Sequence, residues 1–151
     1  MSEFTLEAVP AATVATMRRS VPMDGLKDFF DIAFDHVARA VADAGGQVEG
    51  APIAWYHGMP GETIDVSAGF TVAGDVHPTE GGVTLVERPG GQAGVALHVG
   101  PYEGLADTWG RLLGWLGEQG LTPGPDMWEE YLDPPAGDPA TWRTRVIVLV
   151  G

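Results

Sequence analysis

Pro22-Met23-Asp24-Gly25-Leu26 and Pro101-Tyr102-Glu103-Gly104-Leu105 are two versions of one segment, and their likeness decides how the rest of the chain divides. Continued at the same spacing, it sets Phe30 on Trp109, Phe34 on Leu113, Val37 on Leu116 and, upstream, Arg19 on His98. Each copy then carries a Pro-x-x-Trp run, ending in Trp55 in the first and Trp128 in the second. Taking those two tryptophans as equivalents predicts that Tyr56 in one copy is replaced by Glu129 in the other. Residues 1–151 therefore read as one domain of two pseudo-repeats, about 3–88 and 89–151. A seam between two copies of one unit is a natural place for a ligand.

Periodicity fills in the elements around these anchors. Residues 12–20 have extended character, with β-branched Thr13, Val14 and Thr16. Pro22 and Asp24 open a helix whose stripe is Leu26, Phe30, Ala33, Val37 and Val41, and Gly45-Gly46 ends it. Strands are expected at about 52–57, 63–73 and 82–87, then at 92–99 in the second copy. Its helix starts behind Pro101, carries Leu105, Trp109, Leu112, Leu113 and Leu116, and stops at Gly120. Strands at about 126–132 and 143–150 follow, joined by a rigid loop, Pro134-Pro135 to Pro139. The expected fold is α+β: tandem β-α-β-β units form a curved antiparallel sheet with two helices on one face and a ligand cleft on the other.

Composition removes several functions. The chain has no cysteine, which excludes disulfides, thiol catalysis and zinc–thiolate sites. A net charge of −13 repels phosphate backbones, so no direct nucleic-acid contact is expected, while cationic molecules or a basic protein partner are attracted. No apolar run is long enough to cross a membrane, and the N-terminus lacks signal-peptide character, so a cytoplasmic location is expected. His36, His57, His77 and His98 lack zincin spacing, and no Gly-x-Ser-x-Gly elbow or phosphate-cradling loop occurs. No metal and no cofactor are expected.

What remains is aromatic and acidic. In Met127-Trp128-Glu129-Glu130-Tyr131, strand alternation puts Glu129 and Tyr131 on one face and Trp128 and Glu130 on the other. With Trp128 packed under the helices, Glu129 and Tyr131 face the open side. A carboxylate among aromatic rings suits an organic cation, through charge and cation–π attraction. The expected ligand-lining set is Trp55, Tyr56, Phe70, His98, Tyr102, Trp109, Glu129 and Tyr131, with Glu129 and Tyr131 as the catalytic pair should the site be reactive. The plainer reading makes Trp109 and Phe30 core residues of their helical stripes and the tryptophans ordinary sheet packing.

His98-Val-Gly100-Pro-Tyr102-Glu-Gly-Leu105, Trp109-Gly-Arg-Leu112-Leu-Gly-Trp115, Trp128-Glu-Glu-Tyr131-Leu-Asp-Pro134 and Trp142-Arg-Thr144 together resemble the GyrI-like small-molecule-binding domain, the effector-binding half of many AraC-type and MerR-type regulators. The resemblance runs from about residue 3 to the end. It implies a duplicated β-α-β-β fold, a cleft between the copies and a central acidic residue, which matches Glu129. The family's second strand commonly carries a Glu where this chain has Ser67. With the first strand expected within about ten residues of Met1, the chain reads as the stand-alone form of the domain. Relatives of that form imply three roles: a binder of aromatic or cationic drug-like molecules, for sensing or sequestration; a hydrolase opening cyclopropane rings of DNA-alkylating natural products; and an inhibitor that contacts DNA gyrase.

Overall fold

The computed structural model describes residues 4–57, 61–73, 82–133 and 137–150. His77 and the Pro134-Pro135 part of the expected rigid loop lie outside them. The chain is α+β, with eight strands and two helices among the described residues: β1 (Phe4–Val9), β2 (Ala12–Pro22), α1 (Leu26–Asp43), β3 (Gln47–His57), β4 (Thr63–Ala73), β5 (Thr84–Arg88), β6 (Gly91–Val99), α2 (Leu105–Glu118), β7 (Pro123–Tyr131) and β8 (Arg143–Val150). Among the described residues no helix is long and apolar enough to cross a membrane.

Two compact units divide the chain, one of residues 11–89 and one of residues 1–10 with 90–151. In the first unit the strand order is β3-β4-β2-β5, and in the second β1-β6-β8-β7, with antiparallel pairing throughout. Each β-α-β-β segment thus gains one outer strand, β5 on β2 and β1 on β6. The β1 strand has only its two end residues partly buried, and its role is to pair with β6 from Phe4↔Ala96 to Val9↔Gly91.

Both helices begin behind the repeated prolines, each through a short 3-10 turn. Gly45 (φ 79°) and Gly120 (φ 74°) end them in the left-handed region that glycine reaches without strain. The amide two places beyond each helix's cap residue closes the cap: Gly46 N donates to Val41 O and Leu121 N to Leu116 O, both at 2.9 Å. The stripes are rotated slightly from the expected ones. In α1 the buried side is Phe29, Ala33, Val37, Ala40 and Val41, and Phe30 is half-buried. In α2 it is Leu105, Thr108, Leu112 and Leu116, which leaves Trp109 on the flank.

The first unit's core packs α1 on Ala15, Val72 and Val83, with Met17, Phe70 and Leu85 at its margin. Gly69 permits the β2–β4 approach: a Cβ there would stand 1.8 Å from the Ala15 carbonyl oxygen. In the second unit Gly94 makes room for Leu116, whose side chain would be 2.7 Å from an added Cβ. Because Gly94, Ala96 and His98 share a parity, that contact identifies the α2-facing side of β6. The register carries the same side onto Val148, Val146 and Thr144 of β8, then onto Met127, Glu129 and Tyr131 of β7.

Candidate functional site

The alternation expected for β7 holds, but the two faces are exchanged. Glu129 and Tyr131 lie on the side that carries α2, and Trp128 with Glu130 lies on the other. The decisive contact is a hydrogen bond from Trp109 Nε1, on α2, to Glu129 Oε2 at 2.6 Å. Trp128 is fully buried without α2 above it, and its Nε1 donates to Glu130 Oε2 at 3.1 Å. Arg145, opposite Glu130 in register, binds Glu130 at 2.9 Å and Glu7 of β1 at 3.3 Å. Glu130 is therefore a structural residue that joins Trp128 to Arg145. Parity alone separates two faces without saying which one a helix covers.

Glu129 is 4 % exposed. Besides Trp109, it accepts a hydrogen bond from the Tyr131 hydroxyl, Oη to Oε1 at 2.6 Å. Such short bonds to an ionised acceptor are each worth about 1.5–3 kcal/mol. Tyr131 meets Tyr102 edge-on at a centroid separation of 5.7 Å, and Tyr102 packs on Trp142 at 4.9 Å. Burial, helped by the negative charges of Asp133 and Glu129, pushes the Tyr102 phenol above its ordinary range. Asp133 is itself pinned by Arg143, which donates through Nε at 3.0 Å, Nη2 at 3.1 Å and its backbone N at 3.0 Å, and holds the Asp133 carboxyl below its ordinary range. The second unit thus presents one carboxylate held by an indole and a phenol, with two further aromatic rings beside it.

Of the expected residues, Tyr102, Trp109, Glu129 and Tyr131 come together. Trp142 joins them; it appeared in the sequence only as part of a motif, and its ring partner could not be read from spacing. His98 shares the α2 side but is tied down locally. Its Nε2 lies 2.9 Å from the Pro101 carbonyl, which only accepts, so in the neutral ring Nε2 carries the hydrogen and Nδ1 accepts from Thr108 Oγ1 at 2.8 Å. Gly104 makes space for that ring, because an added Cβ would lie 2.8 Å from His98 Cε1.

Trp55, Tyr56 and Phe70 belong to the first unit. Tyr56 and Phe70 lie on its α1-bearing side, where Phe70 meets Phe34 edge-on at 5.9 Å. Trp55 lies on the opposite side, 5 % exposed, with its ring 4.6 Å from that of His57. Ser67, which stands where the family often has Glu, is buried and bonded to His57 Nε2 at 2.8 Å.

The register also corrects the repeat alignment. In the first unit Arg19, Val66 and Tyr56 form one cross-strand row, and Met17, Ala68 and Ala54 the next. In the second unit the corresponding rows are His98, Thr144 and Tyr131, then Ala96, Val146 and Glu129. With Arg19 matched to His98, Tyr56 corresponds to Tyr131 and Ala54 to Glu129. The expected exchange of Tyr56 for Glu129 is off by two residues. Its cause is the anchor: the Pro-x-x-Trp runs stand two residues apart in the registers of the two units, which set Ile53, not Trp55, in the place of Trp128.

Among the described residues no group of three or more His, Asp or Glu is placed to hold a metal ion. The model of the GyrI-like small-molecule-binding domain matches residues 2–150. The chain belongs to that family. Solved structures agree on the fold. The EcmrR C-terminal domain superposes with a TM-score of 0.87 at 22 % identity, covering 100 % of this chain and 98 % of that one. Against EcmrR in its DNA complex the TM-score is 0.86 at 23 % identity, covering 99 % of this chain, which spans only 57 % of that one. A hydrolase from Listeria innocua gives 0.71 at 14 % identity, covering 99 % and 92 %. SAV2435 bound to tetraphenylphosphonium gives 0.73 at 11 % identity, covering 99 % and 94 %. No curated protein matches the sequence.

Proposed function

We propose that this GyrI-like domain binds small aromatic or cationic molecules, for sensing or sequestration, with Glu129 as the counter-charge and Tyr102, Tyr131 and Trp142 as the aromatic wall. The observation that carries the reading is the Glu129 carboxylate itself, 4 % exposed yet held by Trp109 and Tyr131 at 2.6 Å. A buried carboxylate is costly, and neutral donors offset only part of the loss of water. An organic cation sheds its own water easily and supplies the missing positive charge. Faces of tyrosine and tryptophan add about 0.5–2 kcal/mol each through the ring quadrupole. Displacing the Tyr131 hydroxyl from Oε1 opens a path to the carboxylate. A fold neighbour that binds tetraphenylphosphonium supports the choice of ligand class. The net charge of −13 draws cations toward the chain over a longer range.

Calorimetric titration of tetraphenylphosphonium into the protein tests the reading. Saturable binding in the wild type, weakened in Glu129→Gln, is expected; no binding of this or similar cationic aromatics refutes it. A second reading draws on the same pair. The Tyr131 phenol and Glu129 form a proton-relay geometry that suits water attack on a strained ring, and one fold neighbour is a hydrolase. Ring-opened product from a cyclopropane-bearing alkylator, lost in Glu129→Gln, would support hydrolysis; unchanged turnover in that variant would remove Glu129 as its catalyst.

A further inference from the structure

Next to Glu129 on the α2 side of the sheet, the second unit buries a hydroxyl group with no partner. Thr144 is 0 % exposed, and its Oγ1 makes no hydrogen bond. It stands in register between His98 of β6 and Tyr131 of β7, and two residues along β8 from Val146, which faces Glu129. Directly opposite residues in such pairs bring their Cβ atoms within about 5 Å. Neither flanking side chain turns to the hydroxyl: both His98 nitrogens are engaged with Thr108 and Pro101, and the Tyr131 phenol donates to Glu129.

Packing does not require a hydroxyl there. The matching position of the first unit is Val66, also 0 % exposed, between Arg19 and Tyr56. Valine and threonine have nearly the same shape, so the same fold accepts the apolar side chain at that point. Burying the hydroxyl unpaired is destabilising, because it gives up its bonds to water and gains none in return. Thr16 Oγ1 is buried and unbonded as well, but it stands opposite Gly69 and Thr84, with no charged or aromatic group in its row. Among the described residues, only Thr144 combines an unbonded hydroxyl with the carboxylate and rings of the site.

We infer that Thr144 forms a polar subsite at the floor of the Glu129 site, taking a hydrogen-bonding group such as a hydroxyl or amide on the aromatic body of the ligand. Turning Tyr131 aside uncovers it together with Oε1 of Glu129. The ligand class is then narrower than a hydrophobic cation: a flat aromatic molecule carrying both a charge or dipole for Glu129 and a polar substituent beside it. This rests on the Glu129 side being the ligand site, but not on the ligand being charged.

Two pairs of probes separate these claims: phenyltrimethylammonium with its meta-hydroxy derivative, and naphthalene with naphthol. In the wild type the hydroxylated member of at least one pair is expected to bind about tenfold more tightly, the size of one hydrogen bond to a group otherwise unsatisfied. Thr144→Val removes that preference while leaving affinity for the parent compound intact and thermal stability equal or higher. Thr144→Ser keeps the hydroxyl and restores the preference. Discrimination in the neutral pair, with neither cationic probe bound, sustains the polar subsite while refuting the cation reading. Absence of any discrimination in the wild type, or discrimination unchanged in Thr144→Val, overturns the inference.

Discussion

Replacing Glu129 by glutamine removes one charge and almost nothing else, which makes its consequence calculable. The amide can keep both hydrogen bonds: its carbonyl accepts from Trp109 Nε1, and its NH2 donates to a Tyr131 hydroxyl that has turned round to accept. A cation about 5 Å from the carboxylate, at an effective dielectric near 20, gains about 3 kcal/mol from that charge. Contributions from the aromatic rings survive the substitution. Affinity for tetraphenylphosphonium should therefore fall by about 100-fold, while a neutral aromatic of similar size binds equally well to both proteins. Isothermal titration at two ionic strengths provides the assay, and because the site is buried the loss should persist in high salt. Near-UV circular dichroism and thermal unfolding check that the fold is unchanged. Equal affinity of the two proteins for the cation, with the fold intact, would refute the counter-charge role.

Other predictions concern the frame around the site. Gly69→Ala places a Cβ against the Ala15 carbonyl oxygen and should destabilise by more than about 3 kcal/mol, read as loss of folded protein in urea unfolding. Gly104→Ala pushes on the His98 ring and disturbs its bond to Thr108; a loss of about 1–3 kcal/mol is expected, with site affinity reduced because Tyr102 lies in the same turn. The Tyr102 phenol should ionise above its ordinary range in a spectrophotometric titration, and less so in Asp133→Asn. Arg18 holds the Asp65 carboxyl below its ordinary value of 3.8, so that pair stabilises above this pH and its contribution fades as pH falls through the lowered value. Acid unfolding of Asp65→Asn should lack that slope; because the pair is exposed, the difference is small.

The elements were legible because their signals are local. Helix stripes, the capping glycines at Gly45 and Gly120 and the strand alternation around Glu129 all follow from periods of 3.6 and 2. Three things were not local. The helix-bearing side of β7 depends on β6 and β8, through Gly94 and Leu116, and alternation cannot supply it. The match of Tyr56 to Glu129 failed because the Pro-x-x-Trp runs lie two residues out of structural register. The attachment of β1 to β6 is a pairing distant in sequence, and the alternation of Phe4, Leu6 and Ala8 with Thr5 and Glu7 marks a strand without naming its partner. That Glu129 and Tyr131 share a face was legible from parity, but the bond to Trp109 was not, because a slight rotation of the α2 stripe decides whether Trp109 lies in the core or on its flank.

A crystal structure of the protein with tetraphenylphosphonium tests the central claim most directly. The account predicts the phosphorus within about 6 Å of the Glu129 carboxylate, phenyl groups against Tyr102 and Trp142, and the Tyr131 hydroxyl moved off Oε1. Tetraphenylphosphonium bound instead in the cavity of about 400 Å³ beside Phe4, Leu97 and Arg111, with Glu129 still held by Trp109 and Tyr131, would contradict it.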